Sequence, residues 1–286
     1  MELRVDPLTG AEVQVVGTRQ GRPNLPSAGC PFCVGGTEAP EPYVTKAFPN
    51  RWPSYPDERC EVVLYAPEHD ATLASLPHRQ VRAVVDLWTE RTAALGARDD
   101  VAYVLVFENH GAAVGATIAH PHGQIYAYDR VPPAPALELA RLADGHELFE
   151  DDPDGERIVF ERDGWRAWVP RAAVHPHQVR LAPLVPWPDL PSLDDTARDA
   201  FAAVLADVLG RFEHAFESPM PYMFWIRQRP TDGGSWPAAR LHVEIVSPWR
   251  ADGVLRFVAA AELGTQQFVN PVEPEAAAAR LREAGA

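Results

Sequence analysis

Cys30-Pro31-Phe32-Cys33 sets two thiols two residues apart in a loop rich in proline and glycine that runs from 17 to 36. Two thiolates at this spacing can grip one Zn²⁺ at about 2.3 Å per bond. The same spacing serves dithiol redox chemistry, but that motif of thioredoxin type sits between a strand and a helix, whereas this one lies in a loop, which favours a metal. A second C-x-x-C is absent, so histidines must complete any metal shell. Histidines stand in the other chemical constellation, residues 108–124, which read ENHGAAVGATIAHPHGQ. Gly115 and Thr117 offer a backbone N–H and a hydroxyl, the makings of a cradle for phosphate oxygens. His120 and His122 flank Pro121, and two histidines in a five-residue HPHGQ beside a glycine-rich loop are hard to explain by packing alone.

Such groups need rigid carriers. On an extended segment His120 and His122 share a face, and Pro121 stiffens the step between them. The apolar run 101–107 (VAYVLVF) predicts a buried strand leading into the motif, and 124–128 a strand leading away. Further strands are expected at 13–16, 61–66, 178–181, 222–225 and 241–246, and a hairpin at 157–162 and 165–170 around Asp163-Gly164. Helices are expected at 76–95, with apolar residues at 81, 84, 85 and 88, and at 193–216, capped by Ser192 with Asp194 and Asp195 in its first turn. The stripe of the second helix is 197, 201, 204, 205, 208 and 212. An Ala-rich helix at 273–282 closes the chain, and the acidic run 147–156 reads as a solvated loop. Strand, Ala-Pro, L-x-S-L, helix and a histidine strand occur in that order twice, about 117 residues apart, ending in His120-Pro121-His122 and His242-Val243-Glu244. The repetition predicts an α+β fold of two duplicated halves, 1–150 and 151–286, sharing one mostly antiparallel sheet flanked by helices.

The composition narrows the function. The chain has 286 residues, 26 Lys+Arg against 40 Asp+Glu, and a net charge of −14. Such a surface repels nucleic-acid backbones and anionic lipid, so neither is an expected partner. No apolar run approaches the ~18 residues that span a bilayer, no leader-like segment opens the chain, and three cysteines make no disulfide framework. A cytoplasmic enzyme is the expectation. Proline, at 29 residues, is unusually frequent and predicts much ordered loop and edge strand.

HPHGQ, ENxGAAxG, CPFC and the tail RFVAAAEL…EAAAARLRE together resemble galactose-1-phosphate uridylyltransferase, the two-step nucleotidyltransferase branch of the histidine-triad superfamily, from Asp6 to the last helix. The resemblance implies a ping-pong enzyme: His122 attacks the α-phosphorus of UDP-glucose, and a second sugar-1-phosphate takes the UMP from the uridylyl-histidine. A neutral imidazole suits an anionic centre because it needs no deprotonation at pH 7. The carbonyl of His120 or a neighbouring group would fix the tautomer of His122, and Gln124 would donate to a phosphoryl oxygen. Zinc would be held by Cys30, Cys33, His69 and His120, one structural ion per chain. Asn109 and Thr117 match phosphate-contacting positions, Asn50 a nucleoside contact, and Phe32 would lie near the base. Arg19 and Arg22 match arginines that reach a neighbouring subunit's nucleotide, implying a homodimer with shared sites. Arg256, Glu262 and Gln266 match the side that reads the sugar, Arg256 standing where the family has lysine.

The departures lie on the sugar side. The family's second metal site, one glutamate and three histidines, reads here Glu138, Arg227, His242 and Glu244. Arginine has no lone pair for a metal, so no second ion is expected. Instead Arg227 is expected to bridge Glu138 and Glu244 with His242 alongside, unless a one-residue shift turns it outward and leaves a Glu-His-Glu site. Two other functions use the same residues: an adenylyl-transferring phosphorylase acting on ADP-glucose or a dinucleoside polyphosphate, and a non-catalytic, zinc-stabilised nucleotide-sugar binder. Cys60 reads as strand-end packing, and His175 and His177 lack the glycine-rich loop that would make their HPHQ catalytic.

Overall fold

A computed structural model describes residues 1–21 and 29–285. Arg22 lies outside them. The strands are β1 (Glu2–Val5), β2 (Glu12–Val15), β3 (Lys46–Pro49), β4 (Cys60–Leu64), β5 (Tyr103–His110), β6 (His122–Tyr128), β7 (Ile158–Arg162), β8 (Trp165–Trp168), β9 (His177–Pro183), β10 (Tyr222–Arg227), β11 (His242–Ser247), β12 (Trp249–Ala251) and β13 (Val254–Leu255). The helices are α1 (His78–Gly96), α2 (Pro133–Ala143), α3 (Asp195–His214), α4 (Ala260–Thr265) and α5 (Pro274–Glu283). No described helix is long and apolar enough to cross a membrane.

Nine strands form one antiparallel sheet in the order β3-β4-β6-β5-β10-β11-β9-β8-β7. Read outward from its centre, β5-β6-β4-β3 mirrors β10-β11-β9-β8, and each set encloses one long helix between its second and third strands in chain order. The expected α+β architecture with one antiparallel sheet is therefore present.

Alternation along each strand separates the two faces. On β6, Gly123, Ile125 and Ala127 are buried while His122, Gln124, Tyr126 and Tyr128 are half-buried. The buried face packs under α1 through Val81, Val84, Val85 and Trp88, and under α3 through Phe201, Val204, Leu205, Val208 and Phe212. These are the stripes that 3.6-residue periodicity predicts. The ladder registers then line up one row across the other face: Val62 opposite Gln124, Gln124 opposite Phe107, Phe107 opposite Trp225, Trp225 opposite Glu244, and Glu244 opposite Arg180. Residues from both halves of the chain thus share one face.

Three local expectations change. The cap of α3 is Asp194, whose side chain accepts from the Ala197 amide at 2.7 Å. Ser192 belongs to a preceding 3-10 turn (Leu190–Ser192), in which Asp189 accepts its amide. Helix α2 is not expected from the sequence: three prolines at its start look like breakers, yet a first turn has no intrahelical use for those N–H groups. The acidic run is also not simply solvated. Glu150 and Asp152 pair with the buried Arg157, at 2.8 and 3.5 Å. The Asp163-Gly164 hairpin does form, both residues taking the positive φ (52° and 74°) that a tight primed turn requires.

Candidate active site and metal centre

One ligand atom from each of Cys30, Cys33, His69 and His120 lies within 4.8 Å of every other. Cys33 Sγ stands 3.4 Å from His69 Nδ1 and 3.7 Å from His120 Nδ1. Such separations are those between ligands around one tetrahedral ion, and a donor set of two sulfurs and two imidazoles suits it. His120 is oriented for the task. Its Nε2 donates to the Ala66 carbonyl at 2.8 Å and sits 2.8 Å from the Tyr43 hydroxyl, which itself donates to the Phe32 carbonyl at 2.8 Å. Fixing the proton on Nε2 turns the Nδ1 lone pair toward the thiols. Sequence reasoning missed Tyr43, whose position carries no signal until the loop 30–43 is folded against β4. The cluster can hold one metal ion, and it ties that loop to the start of β6.

Two residues on, His122 projects from the open face of the sheet. Its Nδ1 donates to the His120 carbonyl at 2.8 Å, which leaves the lone pair on Nε2. The Phe32 ring lies 5.1 Å from the His122 ring, centre to centre. Gln124 Oε1 accepts from Asn50 Nδ2 at 3.2 Å, and Asn50 Oδ1 accepts from the Trp52 amide at 2.8 Å. Gln124's carbonyl oxygen is thus taken, so its amide N–H groups are the donors available to an anion. Arg19 bonds Ser54 Oγ and approaches the Tyr126 hydroxyl at 3.4 Å, one step further along the same face. Asn109 lies on that face too, donating to the Val114 carbonyl at 2.8 Å and so closing the glycine-rich turn. Gly111 and Gly115, at φ 94° and 84°, supply the left-handed backbone the turn needs. Thr117 is half-buried in the segment that follows.

A second group of expected residues gathers on the C-terminal arm. The Arg256 guanidinium pairs with Glu262, whose carboxylate also accepts from the amides of Ala259 and Val269 at 2.7 Å each. These bonds hold the carboxyl below the usual range, the Ala259 amide contributing most and Arg256 less. Gln266 is exposed at the end of α4 and bonds the Leu263 carbonyl.

The expected Arg227 bridge is corrected. Arg227 Nε meets Glu138 Oε2 at 3.5 Å, and His242 Nε2 meets Glu138 Oε1 at 3.2 Å. Glu244, however, is paired with Arg180 at 2.6 Å and accepts from Gln178 at 3.0 Å. The reason is register: Arg180 stands directly opposite Glu244 on the neighbouring strand, while Arg227 is opposite His242. Burial opposes ionisation of Glu138, but His242, Arg227 and Arg180 outweigh it and hold its carboxyl below the usual range. Arg180→Ala should therefore cost about 3 kcal/mol, near the low end for breaking a buried pair because Gln178 still donates. Arg227→Ala should cost only about 1 kcal/mol, since Glu138 keeps His242 and is partly solvated. Urea unfolding of the two variants checks that order.

Cys60 is fully buried at the head of β4, and His177 is buried with Nδ1 on the Trp249 carbonyl at 2.9 Å, as packing roles require.

The fold and the site define an α+β protein whose histidine strand begins at a cluster able to hold a metal ion and carries His122 on the face opposite the helices, an arrangement fitted to covalent transfer at phosphorus. Residues 43–132 match the profile of galactose-1-phosphate uridyl transferase, N-terminal domain. Galactose-1-phosphate uridylyltransferase of Thermotoga maritima is 34% identical, with 99% of this chain and 98% of that one covered. The Streptomyces lividans protein of the same name is 39% identical over 99% and 86%. A solved uridylyltransferase superposes with a TM-score of 0.89 at 30% identity, covering 99% of this chain and 98% of that one. An ADP-glucose phosphorylase from Arabidopsis thaliana shares the fold, with a TM-score of 0.79 at 23% identity, 99% of this chain and 98% of that one being covered. The chain belongs to the galactose-1-phosphate uridylyltransferase family.

Proposed function

We propose that this chain moves UMP from a UDP-hexose to a sugar-1-phosphate through a covalent uridylyl-His122. The observation that carries this reading is the donation of His122 Nδ1–H to the His120 carbonyl, which presents Nε2 to the open face beside Gln124. Nε2 attacks the α-phosphorus of UDP-glucose, and an N–P bond forms. The bond from phosphorus to the bridging oxygen breaks, and glucose-1-phosphate leaves with the electron pair. A phosphate oxygen of the second sugar-1-phosphate then attacks the same phosphorus, the N–P bond breaks, and the imidazole returns to its neutral form. Gln124 donates to a non-bridging phosphoryl oxygen, while Asn109 and Thr117 shape the phosphate cradle. Asn50 and Phe32 receive the nucleoside. Membership in a family with uridylyltransferase relatives supports uridine over adenine; the ADP-glucose phosphorylase shares only the fold.

The Cys30, Cys33, His69 and His120 cluster holds one structural zinc, an assignment supported by its two-sulfur, two-nitrogen donor set. When bound, it stiffens the loop 30–43 against the catalytic strand. The protein works as a cytoplasmic homodimer. On the arm carrying Arg256, Glu262 and Gln266, Phe257 is 80% exposed and Val269 67%, apolar surface that a second copy would cover. In that dimer the arm, with Arg19 and Arg22, completes the partner's site on the sugar and nucleotide sides. The mirrored strand order supports two related halves, 1–150 and 151–286.

His122→Gly should leave a cavity that accepts free imidazole. Added imidazole is expected to restore measurable formation of UDP-sugar from a soluble uridylyl donor, and the absence of rescue together with full activity of the variant would remove His122 from the reaction.

A further inference from the structure

Behind the strand that carries His122, on the helix-covered face, lies a polar group that no step above uses. Glu108 of β5 is 3% exposed and shares its face with Val104 and Val106. Its Oε1 accepts from the Tyr222 hydroxyl at 3.2 Å. The Tyr65 hydroxyl stands near enough to act on the same carboxyl, and both that hydroxyl and Glu108 Oε2 are buried without a hydrogen-bond partner. His110 stacks on Tyr222 with ring centres 4.7 Å apart and brings Nδ1 to 3.7 Å from Glu108. Glu213, from the last turn of α3, is the other charged group that acts on it. Burial pushes the Glu108 carboxyl up to about 8, the two tyrosines pulling it down and Glu213 adding to the rise. At pH 7 it is a neutral acid, able to donate as well as accept. Filling this space alone needs no acid: an apolar side chain would do so at lower desolvation cost.

Tyr65 connects this group to HPHGQ. Its amide donates to the Pro121 carbonyl at 3.1 Å. Its hydroxyl occupies the place a side chain at Gly123 would need, so glycine there is a requirement of the tyrosine beneath it. The Tyr65 ring is wedged against Trp88, ring centres 5.6 Å apart, and cannot retreat into the helix layer. The hydroxyl lies between Glu108 and Gly123, so a change in the space or charge that Glu108 presents to it passes to the backbone between His122 and Gln124.

We infer that Glu108 is a positioning residue for His122, acting through the Tyr65 hydroxyl and the backbone of Gly123 to set the depth and aim of the catalytic strand. The inference rests on His122 being the nucleophile. The test is the single-turnover rate of uridylyl-enzyme formation from UDP-glucose, with UDP-glucose affinity measured separately, from pH 6 to 9.5. Glu108→Gln keeps donor and acceptor atoms but cannot ionise. It should stay within about twofold of the wild-type rate at pH 7 and lose no rate above pH 8, where the wild type declines as Glu108 ionises. Tyr65, Tyr222, His110 and Glu213 are the same in both proteins, so a limb they share belongs to those groups. Glu108→Leu and Tyr65→Phe should slow adduct formation by about tenfold to a hundredfold, with affinity within about threefold of wild type, the signature of a misaimed nucleophile. An identical pH limb in wild type and Glu108→Gln, wild-type rates in Glu108→Leu and Tyr65→Phe, or losses confined to affinity and melting temperature would each overturn the inference. If Glu108→Leu fails to fold, Glu108→Gln and Tyr65→Phe decide. A wild type that forms no adduct at His122 rejects the functional reading itself, whereas adduct formation indifferent to Glu108 rejects only this inference.

Discussion

Replacing His122 by Asn is expected to lower sugar-nucleotide formation by at least about 10⁴-fold and to abolish the uridylyl-enzyme, because the amide can occupy the ring's place but has no nucleophilic nitrogen. The fold should survive. His122 sits half-buried on the open face, and its bond to the His120 carbonyl is of a kind that an asparagine N–H can also make. Steady-state kinetics with a melting scan check both halves of the statement. A His122→Asn protein that still carries a uridylyl group after exposure to UDP-glucose would move the nucleophile elsewhere.

Removing a metal ligand should act through stability first. Wild-type protein should purify with about one zinc per chain, and Cys33→Ser should carry little. Cys33 is a telling choice because its sulfur stands within 3.4 and 3.7 Å of the two histidines. Its loss should cost about 3 kcal/mol, roughly a 5 °C fall in melting temperature for a chain of this size. The site's loop packs mainly on the small cluster of Phe32, Ala39, Val62 and Leu64, so the large apolar core under α1 and α3 should persist and the variant should stay folded at 25 °C. Activity should fall with zinc content, because the cluster holds the strand that presents His122. Full zinc occupancy and unchanged melting in Cys33→Ser would dissolve the assignment.

How much of this could be seen in the sequence depends on how far apart the interacting residues lie. HPHGQ, CPFC and the helix stripes are local patterns, and local spacing dictates local geometry: His120 and His122 alternate along one extended segment, and 201, 204, 205, 208 and 212 fall on one side of a helix. Arg180 as the partner of Glu244 is a different matter. It depends on the register between β9 and β11, and spacing within one strand carries no information about register with another. Positions matched to the family offer Arg227 as the charge partner instead. Glu108 was legible in principle. It continues the 104, 106, 108 parity of a buried strand, a carboxyl where valines lead up to it, and that parity was the signal overlooked. Helix α2 was obscured by prolines that the first turn tolerates. Tyr43 had no local signal at all, since its role exists only once its loop meets His120.

A uridylyl group carried on His122 can be weighed directly. Intact mass of the zinc-loaded protein is recorded after incubation with UDP-glucose and, separately, with ADP-glucose, followed by peptide mapping of any modified species. The expected result is a gain of one uridylyl group from UDP-glucose, located on the peptide containing His122 and discharged by a sugar-1-phosphate, with no comparable adenylyl adduct. An adenylyl adduct in its place, a uridylyl group on another residue, or an unmodified chain under turnover conditions would contradict it.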